Sequence, residues 1–127
     1  HVNPAELGTP APNIEIHRQL PQLLVLRHAT AFITHAGMGS VTEALYHQVP
    51  TIAVPQAREQ AVNAARIDQL GLGARIDLPT PNQLRDAAER VATDPGIRAN
   101  LAAMKNAINH AGGASTGVDI IETARTR

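Results

Sequence analysis

At 127 residues the chain has the length of a single domain, and with 43% apolar residues it can bury a core, made mostly of aliphatic side chains because Phe32 and Tyr46 are its only aromatics. Eleven basic residues balance eleven acidic ones, so no general field draws the chain to nucleic acid or to an anionic membrane, and an anion would have to be held by a local site. The absence of cysteine excludes disulfides and thiolate metal sites and fits a reducing, cytoplasmic setting, while no apolar run reaches the roughly 18 residues of a membrane span.

In chain order, His1 is not an initiator methionine, and the chain is expected to be processed or truncated, with a fragment of a longer one among the alternatives. Residues 3–13 carry Pro4, Gly8, Pro10 and Pro12 and read as loop. Four short aliphatic runs follow, at 14–16, 31–34, 51–54 and 74–76, each short enough for a buried strand. Helical patterns separate them: residues 21–28 with proline near the start, 40–47, and 59–70 stopped by Gly71 and Gly73. Beyond Asp77 the strands cease. Leu84, Ala87, Ala88, Val91 and Ala92 mark one helix face at spacings of three and four. Ile97, Leu101, Met104 and Ile108 mark a second, and a last helix with Val118, Ile121 and Ala124 is expected to start on a Ser115 cap, with Arg125 and Arg127 at its end. The alternation predicts an α/β fold: a parallel sheet with helices on its faces, ending in a helical tail.

In an open parallel sheet, ligands bind beyond the carboxyl ends of the strands. The run at 31–34 leads there into His35, Gly37, Met38, Gly39 and Ser40. Glycine lets a backbone approach a bulky anion, and the free N–H groups and positive end of a following helix favour phosphate. His35 and Ser40 add side-chain donors, so the stretch reads as a cradle for a diphosphate. A Rossmann fingerprint would want glycine where Thr42 stands, and the P-loop lysine is absent. The same residues also carry a capping-box pattern, Ser40 at the N-cap and Glu43 three residues on, which needs no ligand. From this stretch alone, capping and ligand binding stand level.

Two more polar turns tip the balance. The stretch 55–60 follows the run at 51–54, and its Glu59 and Gln60 offer donors and acceptors suited to sugar hydroxyls, while Gln19, Leu20 and Gln22 follow the run at 14–16. Three consecutive strands ending in polar loops on one edge look like one cleft. The six histidines fall on different elements without ligand spacing, so no metal site is expected.

Between Gln19 and Gln60 the pattern runs L-P-Q, then F-I-T-H-A-G-M-G-S-x-x-E, then V-P, then P-x-x-x-E-Q. It is similar to the nucleotide-sugar signature of the UDP-glycosyltransferase superfamily, and most like the bacterial macrolide-type glycosyltransferases. The resemblance implies a Rossmann-like sheet that is the C-terminal, donor-binding half of a two-domain GT-B enzyme. The domain would span residues 1–127 and lack at least its first strand, and the N-terminal acceptor domain would lie elsewhere. The exposed sheet edge left behind would invite pairing with another copy or with the missing part.

The resemblance implies roles as well. His35, with Gly39 and Ser40, would donate to the diphosphate, and Glu43 would accept from both ribose hydroxyls. Gln22 would contact the nucleoside, backbone groups at Leu20 would read the base edge, and Glu59 with Gln60 would hold hydroxyls of the sugar. At Gln19 the family usually has a tryptophan stacked on the base, and glutamine offers a smaller face. The catalytic base, a histidine oriented by an aspartate, would belong to the acceptor domain, so this chain alone is expected to be inactive. The implied reaction moves a sugar, expected to be glucose, from UDP to a hydroxyl of a small lipophilic acceptor such as a macrolide, with inversion and no further cofactor. A nucleotide-sugar epimerase of the same fold and a non-catalytic interaction module with an empty cradle are the alternatives.

Overall fold

A computed structural model describes residues 3–125, so His1 and Arg127 lie outside the described residues. Three parallel strands form the sheet in the order β1-β2-β3, with β1 Phe32–Thr34, β2 Thr51–Ala53 and β3 Gly73–Arg75. Phe32 pairs with Thr51 and Thr51 with Gly73, so the three carboxyl ends stand level. Around them run α1 Gln22–Leu26, α2 Met38–Tyr46, α3 Arg58–Gln69, α4 Pro81–Thr93, α5 Pro95–His110 and α6 Gly113–Arg125.

The burial explains the arrangement. All three residues of β2 are buried, as expected of a central strand covered on both faces, while α3 packs on β2 and β3 and α4 on β2. Ile52, Ala64, Ile67, Leu72, Val91 and Leu101 form the heart of the core, and Leu26, Ala44 and Val49 form a smaller cluster with Phe32 under α1 and α2. Gly73 allows β3 to close on β2, because a Cβ there would run into the Thr51 carbonyl oxygen. Lys105 of α5 anchors the far end of α2: its ammonium donates to the Tyr46 carbonyl at 2.6 Å and stands 3.1 Å from the centre of the Tyr46 ring.

Residues 14–16 are not a strand. Ile14 is half-exposed and its amide closes a turn on the Ala11 carbonyl, because a β-branched run forms a strand only where a ladder partner receives it. The segment 3–13 also holds one turn of 3-10 helix, Pro4–Leu7. β1 is consequently an edge strand. Phe32 donates to the Pro50 carbonyl and Thr34 accepts from Val54, so parallel alternation turns the Ile33 amide and carbonyl away from β2. Ser115 is not a cap either: α6 begins at Gly113, and the Ser115 hydroxyl donates back to the Gly112 carbonyl. No α6 residue is buried, and Val118, Ile120 and Ile121 are exposed.

Candidate functional site

The chain leaves β1 through a sharp reversal. Ala36 is wholly buried and sits at φ 65°, the left-handed region, a conformation that costs a residue with a Cβ about 1–2 kcal/mol. Both sides of it are tied. Its amide donates to the Thr34 hydroxyl at 3.3 Å, and its carbonyl accepts from Asn63 Nδ2 of α3 at 2.9 Å. The strained residue is thus Ala36, whereas Gly37 has an ordinary φ of −64°. Glycine at 37 serves another purpose: a Cβ there would stand 2.8 Å from His35 Nε2 and push the ring aside, so its absence lets the imidazole lie across the turn. A Cβ at Gly39 would meet nothing within 4 Å, and the space over that residue is open.

Helix α2 starts earlier than the Ser40 cap suggested. Gly37 is the N-cap and offers no side chain, and the first helical bond runs from the Val41 amide to the Gly37 carbonyl at 3.0 Å. Ser40 therefore lies in the first turn and Glu43 in the second, and the capping box does not form. The reason is that the cap must be the first extended residue after the reversal, and the Ala36 turn fixes that as Gly37. The amides of Met38, Gly39 and Ser40 are left without a cap, and no acidic side chain in the first turn offsets the positive end of the helix. Helices α4 and α5 show the contrast. Thr80 and Gln83 form a full capping box on α4, and Asp94 accepts from the Gly96 and Ile97 amides on α5.

Gln22 reaches the same place from α1 and not from a strand end. Its Nε2 donates to Glu43 Oε2 at 2.6 Å and to Ser40 Oγ at 3.4 Å, joining three residues that are 18 and 21 positions apart in sequence. A cleft of about 480 Å³ opens here, lined by Gln22, Thr34, His35, Ser40 and Gln56 with Leu84 at its wall. A second, smaller hollow of about 250 Å³ lies beside it, lined by Leu20, Gln22, Val25 and Phe32. Gln19 is exposed and lines neither.

Glu59 and Gln60 open α3, whose N-cap, Ala57, also lacks a capping side chain. Glu59 is exposed in the first turn, and Gln60 Oε1 accepts from the Gln56 amide at 2.8 Å, leaving its NH2 group as the part free to face a ligand. The structure thus brings Gln22, His35, Ser40 and Glu43 together with the free amides of 38–40, sets Glu59 and Gln60 at the neighbouring strand end, and leaves Gln19 outside. Asn63, Thr34 and Ala36 were missed by the sequence reading. Only Asn63 left a trace there, as a poor helix former in mid-helix. Among the described residues, no group of three histidines, cysteines or carboxylates could hold a metal ion.

Comparison with known proteins places this geometry in context. The family described as erythromycin biosynthesis protein CIII-like, C-terminal domain, matches residues 3–119. An NDP-glycosyltransferase of Bacillus licheniformis is 38% identical over 95% of this chain and 31% of its own length. The oleandomycin glycosyltransferase of Streptomyces antibioticus is also 38% identical, over 95% of this chain and 29% of its own. The crystal structure of a calicheamicin glycosyltransferase superposes with a TM-score of 0.91 at 39% identity, over 99% of this chain and 32% of that one. The chain spans about a third of the length of the relatives it matches.

Proposed function

Because the chain belongs to the erythromycin biosynthesis protein CIII-like C-terminal domain family, we propose that it is the donor-binding part of a glycosyltransferase whose donor is a UDP-sugar. One observation carries this reading: the uncapped start of α2, with the amides of Met38, Gly39 and Ser40 free beside His35 and the Gln22–Glu43 pair. Helix N-termini of this kind bind phosphate through amides and dipole together.

In this reading the diphosphate lies over Gly39, where the surface is open, and accepts from the three amides, from Ser40 Oγ and from His35. The ribose lies against Glu43. A carboxylate has about four acceptor positions, and Gln22 occupies one, so two hydroxyls can still be received. Gln22 and the backbone at Leu20 face the nucleoside, and the apolar hollow beside Leu20 takes the base edge. Glu59 and the Gln60 NH2 group hold hydroxyls of the sugar, which favours a fully hydroxylated one such as glucose.

The reaction is displacement at the anomeric carbon with inversion. An acceptor hydroxyl, deprotonated by a base outside this chain, attacks the carbon as the bond to the diphosphate breaks. Charge then grows on the leaving oxygen, where preorganised amides stabilise it without rearranging. The relatives named for oleandomycin and calicheamicin support a natural-product acceptor. The free edge of β1, with Ile33 exposed, is the surface on which a further strand of the longer protein, or of a second copy, would add.

Titration calorimetry with UDP tests the proposal. The purified protein should bind UDP, and His35→Ala and Glu43→Ala should each weaken it by about tenfold, or about 1.4 kcal/mol. Equal affinity in both variants would overturn the site assignment, and no binding at all would overturn the function.

A further inference from the structure

We infer that Asn63 is a positioning residue for the phosphate cradle: its carboxamide, donated to the Ala36 carbonyl, holds the left-handed turn from which the amides of α2 are aimed. The inference rests on the donor-binding reading above and adds a residue from an element that reading used only for the sugar.

Ala36 is the pivot. It is wholly buried, carries a Cβ and lies at φ 65°, and a residue keeps such a conformation only where its surroundings over-determine it. The Thr34 hydroxyl supplies one restraint, at a long 3.3 Å and from only two residues away. Asn63 supplies the other at 2.9 Å, from 27 residues away on a helix pinned to the sheet by buried Ala64 and Ile67. The next residue is the N-cap Gly37, and the three after it carry the free amides. A change in ψ at Ala36 would swing the start of α2 as a unit. An asparagine has no reason of its own to stand in mid-helix, where it is a poor former. Here it spends a donor on the carbonyl of a wholly buried residue in another loop.

Glu59 and Asn63 are four residues apart, and so share one face of α3. The same rigid helix therefore carries the residue that faces the sugar and the one that braces the diphosphate turn. This fixes the separation between the two ends of the donor.

The test compares UDP with uridine, which lacks the diphosphate, by calorimetry on the purified protein. Asn63→Ala should weaken UDP by about tenfold while leaving uridine unchanged. Adding Ala36→Gly should recover most of the loss, because glycine holds the left-handed conformation without a brace. A brace of general stability only would lower the melting temperature, weaken both ligands in parallel and resist that rescue, and this result would overturn the inference. Asn63→Ser, which is too short to reach the carbonyl, replaces the alanine variant if that one does not fold, with the same outcomes. If the unaltered protein binds no UDP, the donor reading fails, and amide NMR of the ligand-free protein decides the inference separately. Movement of the signals of Gly37, Met38, Gly39 and Ser40 in Asn63→Ala supports it, and unmoved signals overturn it.

Discussion

Gly39→Ala should push stability and binding in opposite directions. Gly39 is the second residue of α2, with helical neighbours, and a Cβ there meets no atom within 4 Å. Alanine fits the free protein without strain and restricts the unfolded chain, a gain of about 0.5–1 kcal/mol. For a domain of this size that raises the melting temperature by about 2–4 °C. The methyl group, however, would fill the space where a phosphate oxygen must come within about 2.9 Å of the amides. UDP affinity should therefore fall by about tenfold or more. Thermal denaturation followed by circular dichroism gives the first quantity and calorimetry the second. A stabilised variant that binds UDP as well as the unaltered protein would refute the placement of the diphosphate over Gly39.

Other substitutions separate fold from site. Gly73→Ala would drive a methyl group into the Thr51 carbonyl in the middle of the sheet, and should cost about 3 kcal/mol, read as loss of the cooperative denaturant transition at low urea. Asp94→Ala removes the cap from the Gly96 and Ile97 amides, and should lower stability by about 1 kcal/mol with UDP affinity unchanged. Ile33→Lys places a charge on the free edge of β1 and should suppress any concentration-dependent association seen by analytical ultracentrifugation, leaving the melting temperature close to its original value.

The sheet was legible in the sequence where burial wrote it plainly. The β-branched or aliphatic runs at β1, β2 and β3 and the face of α4 through Ala87 and Val91 stand where spacing predicts them, within a residue or so at the ends. The run at 14–16 misled, because strand propensity cannot announce that no neighbour will pair with it. Gln22 nevertheless reached the site, carried by α1. The start of α2 was misjudged by three residues. Ser40 and Glu43 match a capping box in spacing, but the reversal at Ala36 decides where the helix begins, and an alanine in a left-handed turn leaves no mark in composition. The bond from Asn63 was out of reach for the same reason: it joins residues 27 apart, and only the packing of α3 against the sheet brings them together.

The central claim is that the bare first turn of α2 holds a diphosphate, and a crystal structure of the protein with UDP tests it most directly. The account predicts β-phosphate oxygens at about 2.9 Å from the amides of Met38, Gly39 and Ser40, with His35 turned toward them and both ribose hydroxyls on Glu43. A nucleotide bound elsewhere, with those amides still facing solvent, would contradict it.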